Sequence, residues 1–393
     1  MDTYIEDRRR IADSGIEDVF TPTHPIDPVL FCGRNREACQ ILDGLYQKGG
    51  HVILYGDRGV GKTSLALFAC SNYEGTPFKR VGCATDDSFM TVMEKVFAEY
   101  GISITTHDSK SSNASISIPH LSAGKEHSKE YHCCTQMDNA TWVGAQLLNQ
   151  AGILFIDEFD TIPNSNVKEK QKFAELMKYL SDRSSDLHVF VVGISNSVDE
   201  LFDGHKSVDR CLTQVQLQRM SNEELMSIIE KGEQRTGIKF EQEVKDRIVN
   251  RSLGFPYFTH LISLHASKLA VIDGRDVVTM ADYNNGLLNA LEQADQSLKD
   301  KYKTAVGYND NILKRELLYV AALLGDSREF TMTEWIAKYK DIFNKDIVNV
   351  TINSQMQKNI GKQDSLLRNI KKGVYIFEDS RMPCYISLLG KPE

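Results

Sequence analysis

Eight consecutive residues, Gly56-Asp57-Arg58-Gly59-Val60-Gly61-Lys62-Thr63, have the types and spacing needed to grip a polyphosphate. Phosphate oxygens concentrate negative charge, and backbone N–H groups meet that charge best at close range. Close range calls for glycines where a Cβ would block the approach. Lys62 adds positive charge for the β- and γ-oxygens, Thr63 adds a hydroxyl suited to Mg²⁺, and Ser64 continues the stretch. A helix starting at Lys62 would aim its positive dipole end at the same anion. The apolar run His51-Val52-Ile53-Leu54-Tyr55 precedes the loop, so strand, loop and helix follow in the order this chemistry needs. The second constellation is Ile153-Leu154-Phe155-Ile156-Asp157-Glu158. An apolar strand delivers Asp157 at its C-terminal edge, where open α/β sheets bind ligands. Asp157 suits the Mg²⁺ shell beside Thr63, and Glu158 is placed to polarise an attacking water as general base. Asp160 reads as ordinary loop. The two constellations imply a polyphosphate and Mg²⁺ as ligands.

Such residues need a parallel sheet beneath them. Strand-like runs at His51–Tyr55, Phe78–Cys83, Gly152–Ile156 and Leu187–Gly193 alternate with helical patterns over 34–47, from Lys62, over 86–100 and around Phe173–Leu180. Strands alternating with helices predict a parallel α/β sheet. Ninety-five residues separate Lys62 from Asp157, more than a minimal core needs, and a serine-rich insertion over about 103–140 accounts for the excess. Residues 1–30 read as an irregular arm. Within it Arg8-Arg9-Arg10 is a solvated helix face, and the proline-rich run Thr21–Pro28 excludes helix and central strand. Beyond about 205 the strands are expected to stop. Ser221-Asn222-Glu223-Glu224 is a capping box, and helices with inward Leu225, Ile228, Val244, Ile248, Leu261 and Ile262 follow. From about 306 three helices (313–324, 333–343 and 352–370) precede two strand-like runs, Gly373–Phe377 and Cys384–Leu388. That is the order of a winged helix. The expected division is a nucleotide-binding domain over 1–204, a helical lid over 205–304 and a winged helix over 305–393.

Composition narrows the classes. The chain has 393 residues, 41% hydrophobic and 25% charged, which is ordinary globular usage and excludes bulk disorder, collagen and coiled coil. Its apolar runs fall far short of the ~18 residues of a membrane helix, and residues 1–6 carry no basic-then-apolar signal. Eight scattered cysteines suit reduced thiols and a cytoplasmic protein better than a disulfide scaffold. A net charge of −8 argues against a surface that binds nucleic acid everywhere. It leaves one basic face open, because residues 310–393 hold 13 Lys and Arg against 11 Asp and Glu. Lys358, Lys362, Arg368, Lys371 and Lys372 lie in and after the third helix of that region. They suit phosphate contacts on duplex DNA, and the module equally suits protein contact or internal packing. His120, His127, His132, Cys133 and Cys134 match no usual zinc spacing and read as an exposed loop.

These motifs resemble AAA+ ATPases, in particular the branch near the origin-recognition and replication-initiator ATPases, and the archaeal-ATPase group of STAND NTPases. The resemblance covers roughly 20–390. It rests on Phe31-Cys32-Gly33-Arg34-Asn35-Arg36-Glu37, the phosphate loop, Ile156-Asp157-Glu158-Phe159-Asp160 and Gly193-Ile194-Ser195-Asn196. It implies a P-loop NTPase core with a helical lid and a winged helix. It also implies ATP hydrolysis with Lys62, Glu158 and a water-placing Asn196. Phe31, Gly33 and Arg34 would close over the adenine. Arg210 would serve as an arginine finger in trans, which requires a head-to-tail homo-oligomer. Gly254-Phe255-Pro256-Tyr257 falls where initiators carry Gly-x-x-Arg and STAND ATPases carry Gly-x-Pro; the Gly-x-Pro here favours the STAND-like reading. The output expected is conformational change or assembly with a separate protein effector. A DNA-binding ATPase and a tight nucleotide switch with negligible turnover are the alternatives, and no membrane partner is expected.

Overall fold

The structure, a computed structural model, describes residues 2–22, 28–74, 77–102, 104–105, 131–132, 134–163, 166–195, 210–307, 310–326, 329–361 and 365–392. The chain divides into two compact units. A sheet unit comprises Asp27–Asp57 and Lys62–Gln218, and a helical unit comprises Met1–Ile26, Arg58–Gly61 and Arg219–Glu393.

In the sheet unit, β1 (His51–Gly56), β2 (Lys79–Gly82), β5 (Gly152–Asp157), β6 (Leu187–Ile194) and β7 (Leu212–Leu217) form one sheet in the order β2-β5-β6-β1-β7. All four pairings are parallel, with Leu54 opposite both Val192 and Val215, and Leu154 opposite Val189. Among the described residues, the two-residue strands β3 (Ile104–Thr105) and β4 (Tyr131–His132) pair with each other. Ile53, Leu54, Leu154, Ile156 and Val191 are fully buried. Strands covered on both faces lose the alternation of polar and apolar residues, and that is why their sequence reads as continuous apolar runs. The helices Lys62–Asn72, Phe89–Glu99 and Val167–Asp182 follow β1, β2 and β5. Because every strand of this sheet runs the same way, Gly56, Gly82, Asp157, Ile194 and Leu217 all end at one edge.

Strands do not stop at 205, since β7 forms the edge beside β1. Its burial alternates, with Leu212, Val215 and Leu217 inside and Gln214 and Gln216 outside. One exposed face replaced the apolar run that marks the central strands.

The helical unit contains Asn222–Thr236, Gln242–Ser252, Pro256–Ile272, Met280–Gln293 and Gln296–Val306, with β8 (Lys239–Phe240) paired to β9 (Val277–Val278). The capping box holds, for Ser221 and Glu224 each accept the other's backbone N–H. The N-terminal arm is not irregular. Asp2–Ser14 and Ile16–Val19 are helical, and Ile11, Ile16, Val19 and Phe20 are buried. The apolar residues are too sparse among Arg, Asp and Glu to form a visible stripe, but tertiary packing needs only those four. The C-terminal region runs Ile312–Leu324, β10 (Phe330–Thr331), Met332–Phe343, Asn349–Met356, β11 (Leu367–Lys371), β12 (Val374–Phe377) and Met382–Leu389. The hairpin pairs β11 with β12, and the sheet order is β10-β12-β11. The expected strand Cys384–Leu388 is therefore helical, because Pro383 opens a helix in which a preset φ and a missing N–H are no cost. The expected helix over 352–370 ends at Met356, and Leu367–Lys371 is strand. Lys372-Gly373 makes the turn between β11 and β12, with Gly373 at φ 76°. Among the described residues no helix is long and apolar enough to cross a membrane.

Candidate functional site

The site is built where β1 and β5 end. Gly56 closes β1, and a Cβ there would stand 2.3 Å from the Leu217 carbonyl oxygen on β7, so only glycine lets the edge strand pair this closely. Lys62 opens the following helix and is buried. Its Nζ donates to the carbonyls of Gly56 at 3.0 Å and Asp57 at 2.7 Å. A phosphate would compete well with these carbonyls, since charge-assisted contacts are roughly twice as strong as those to neutral groups. Val60 is buried, Asp57, Gly59, Gly61, Thr63 and Ser64 are half-buried, and Arg58 is exposed.

Thr63 and Asp157 meet. The Thr63 hydroxyl donates to Asp157 Oδ1 at 3.4 Å, and the Glu158 N–H donates to the same oxygen at 3.0 Å. Asp157 Oδ2 accepts from Arg80 Nη2 at 2.7 Å. Sequence reasoning missed Arg80. The register of β2 on β5, with Gly82 opposite Asp157 and Arg80 opposite Phe155, brings it there, and its guanidinium lies 5.5 Å from the centre of the Phe155 ring. The signal that could have found it is a cation two residues before the end of the neighbouring strand. Glu158 follows in left-handed backbone, φ 56° and ψ 34°, with an exposed side chain. A residue with a Cβ in that region carries a cost of ~1–2 kcal/mol, and such local cost clusters at functional turns. Asp160 does more than fill loop: its Oδ1 accepts the Ile194 N–H at 2.7 Å and ties the turn after β5 to the end of β6.

The segment before the first helix of the sheet unit is also ordered. Phe31 stacks on Phe68, ring centres 4.7 Å apart. Gly33 and Arg34 both take positive φ, 74° and 60°, turning the chain into Asn35–Tyr46. The Arg34 side chain is buried; it donates to the Gln218 carbonyl and lies 4.0 Å from Glu37. That guanidinium braces the protein's own backbone after β7. Arg210 is exposed and pairs with Asp182 at 2.7 Å. Asn196 lies outside the described residues, as do Lys362 and the side chains of His120, His127, His132, Cys133 and Cys134. Among the described residues no group of three or more His, Cys, Asp or Glu could hold a metal ion.

In the helical unit, Pro256 opens the helix Pro256–Ile272, and the Tyr257 hydroxyl accepts the Asp295 N–H at 2.8 Å. Arginines from distant segments cover the two aromatic residues that flank Pro256. Arg219 lies 4.3 Å from the Phe255 ring centre and Arg381 lies 5.6 Å from that of Tyr257.

The residues present fit the ligands that the motifs imply. Thr63 and Asp157 offer a hydroxyl and a carboxylate that already converge, the hard oxygen donors that Mg²⁺ takes. Lys62 and the glycine-rich turn offer the cation and the close backbone approach that a polyphosphate takes.

Comparison with known proteins agrees with the motifs. The sequence model of the family described as Novel STAND NTPase 1 matches residues 20–305. A search of curated proteins finds none that matches. Among solved structures, Cdc6p from Pyrobaculum aerophilum is similar at a TM-score of 0.51 and 12% identity, over 95% of this chain and 97% of that one. The Aeropyrum pernix ORC1 protein, solved in complex with DNA, gives 0.51 and 13% over 95% and 96%. The Aeropyrum pernix ORC2 protein in its ADP form gives 0.51 and 14% over 94% and 96%. At such identities these likenesses speak for the fold, an α/β ATPase fold built on a parallel sheet. The family match spans well over half the residues, and with the phosphate loop and the Asp157–Glu158 pair at the sheet edge it identifies the chain as a P-loop NTPase belonging to the novel STAND NTPase 1 family.

Proposed function

We propose that this chain binds ATP with Mg²⁺ and hydrolyses it to ADP and phosphate, as a molecular switch that drives conformational change or assembly with a separate protein partner. The observation that carries the reading is the contact of Thr63 with Asp157 at the sheet edge, beside the helix that Lys62 opens, with the exposed carboxylate of Glu158 one residue further on. Lys62 exchanges neutral carbonyl partners for β- and γ-oxygens. Thr63 and Asp157 hold Mg²⁺, which when bound neutralises charge on the phosphate oxygens. Glu158 takes a proton from the attacking water, and its exposure leaves room for that water. Asn196 is proposed to orient the same water. Arg210, in trans, is proposed to meet the γ-phosphate of a neighbouring copy in a head-to-tail homo-oligomer; its exposed position and its surface pairing with Asp182, a contact worth little on its own, are compatible with that role. Phe31, Gly33 and Arg34 are proposed to bound the adenine. The three-part division into 1–204, 205–304 and 305–393 stands as a proposal, with the last part a winged helix; its helix, strand, two helices and hairpin support that reading.

The test is phosphate release. We expect Glu158→Gln to lower turnover by at least about 100-fold, the lower bound of the range for losing a general base, while nucleotide still binds. Lys62→Ala should lose nucleotide affinity as well. Unchanged turnover in both variants would overturn the site. Tight nucleotide retention with no turnover in the wild type would instead support the switch without hydrolysis.

One observation favours a second reading, a DNA-binding ATPase. Arg368, Lys371 and Lys372 are exposed on the β11–β12 hairpin, and the structurally similar ORC1 protein was solved with DNA. Duplex binding that weakens steeply with salt, and less steeply after these three cations are replaced, would support it.

A further inference from the structure

The helical unit includes the tip of the phosphate loop, Arg58–Gly61, and the tip is held there by charge. Arg381, the residue before the helix Met382–Leu389, has a side chain only 4% exposed. Its Nε and Nη2 fork onto Asp379, at 3.1 Å to Oδ1 and 2.8 Å to Oδ2. Its Nη1 donates to Asp295 Oδ2 at 3.0 Å. Arg58, 52% exposed, reaches the same Asp295 oxygen at 3.9 Å. Two arginines and two aspartates therefore make a continuous network with no net charge. A buried guanidinium is tolerated only when paired in this way.

The network also fixes the loop sterically. At Gly59, φ 81°, an added Cβ would stand 2.7 Å from Arg381 Cδ. Arg381 cannot swing away from such contact without breaking three hydrogen bonds to aspartates. Tyr257, at the place where a Gly-x-x-Arg pattern would put arginine, instead lies under the Arg381 guanidinium and accepts the Asp295 N–H. The cation that residue 257 lacks is thus present in the same neighbourhood, supplied from 124 residues further along the chain.

We propose that Arg381 is a positioning residue for the phosphate loop, and that Arg381, Asp379, Asp295 and Arg58 form an ionic latch on the loop tip that slows nucleotide exchange. The latch rests on the reading of the loop as a nucleotide site. The tip is held by Arg58 on the Asp295 oxygen 3.9 Å away, so nucleotide entering or leaving past the tip requires that pair to part. While Arg381 keeps Asp295 and Asp379 in place, the tip is fixed and the exchange is slow.

The experiment is stopped-flow release of a fluorescent ADP analogue from the full chain. Asp295→Asn keeps the side-chain oxygen that accepts from Ser297, and with it the helix cap, while removing the charge. Arg381→Lys keeps a charge but cannot fork. Both should release the analogue about tenfold faster than wild type, Asp295→Asn with a melting temperature close to it. Arg58→Ala should add little in the Asp295→Asn background, because the two residues share one contact. Wild-type release should quicken with salt, and Asp295→Asn should flatten that dependence. Variants that release at the wild-type rate would overturn the latch and leave the nucleotide site standing. A wild-type chain that binds no ADP analogue would overturn the nucleotide reading and the latch with it.

Discussion

At the scale of single residues, the loop and the acid pair were legible because their chemistry is local. Gly56 to Thr63 is one turn, and Asp157 and Glu158 end one apolar run, so spacing along the chain stands in for position in space. Arg80 and Arg381 were not legible for the opposite reason. Arg80 reaches Asp157 across 77 residues and Arg381 reaches Asp295 across 86, and no local pattern encodes either pairing. Arg34 shows what a local motif leaves open: its guanidinium reaches the Gln218 carbonyl across 184 residues, a pairing that no spacing encodes. Arg80 leads to a prediction at this scale. Its cation pairs with the carboxylate that Mg²⁺ would use, so arginine and metal compete for one negative charge. Arg80 is 44% exposed, and solvent reduces the effect to about 1 kcal/mol. Arg80→Ala should therefore lower the Mg²⁺ concentration needed for half-maximal nucleotide binding by about fivefold. A Mg²⁺ titration of analogue binding measures it, and a requirement that rises instead would show that Arg80 orients Asp157 more than it competes.

At the scale of elements, periodicity found what is buried on both faces or carries a full stripe. The strands β1, β5 and β6 and the capped helix Asn222–Thr236 appeared at nearly their observed limits. Elements with thin apolar patterns escaped: β7 with one wet face, the N-terminal helices with four buried residues, and the C-terminal hairpin, where the turn at Gly373 lies ten residues before Pro383. How the N-terminal helices are held can be tested. Gly232 sits inside Asn222–Thr236, where alanine would ordinarily favour the helix by about 1 kcal/mol. Here an added Cβ would come 2.4 Å from Phe20 Cζ. Phe20 is 1% exposed and its ring meets Phe240 and His260 edge-on at 6.0 and 6.2 Å, so it has nowhere to retreat. Overpacking costs typically ~1–3 kcal/mol and outweighs the helix preference. Gly232→Ala should therefore destabilise the protein by about 1 kcal/mol and make the peptide bonds before Phe20 more susceptible to limited proteolysis. Thermal melting and mass mapping of the cuts read the two effects, and a rise in melting temperature would contradict the packing argument.

At the scale of the whole molecule, buried histidines set the response to acid. Burial pushes His51 down to about 4; its Nε2 lies 2.8 Å from the Met177 carbonyl and its Nδ1 accepts the Val189 N–H at 3.0 Å, the pattern of a neutral ring inside the sheet. Burial likewise pushes His260 down to about 4, where Nδ1 accepts the Thr21 N–H at 3.3 Å. His265 is also lowered to about 4, by burial first and by the neighbouring Lys268 second. Each is a weaker base folded than unfolded. Between about pH 6.5 and about 4 the unfolded chain therefore binds up to three more protons than the folded chain at these sites, and stability falls as pH falls through that window. Three protons set an upper slope of about 4 kcal/mol per pH unit. The carboxylates act lower. Burial alone would raise Asp379, but its hydrogen bonds to Arg381 hold it below 3.8; for Asp282 burial is likewise outweighed, by Arg275 and Thr279. Their contributions are complete above 3.8 and fade only beneath it. The window of these two aspartates thus lies below that of the histidines, which comes first on acidification. Denaturant unfolding at fixed pH should show stability level above about 7 and falling from 6.5 downward. His265→Leu should flatten the fall by one proton's worth while leaving the behaviour below 3.8 unchanged. Stability that stays level down to pH 4.5 would mean that these rings take up protons in the folded protein as readily as they do in the unfolded one, and would contradict their burial as neutral groups.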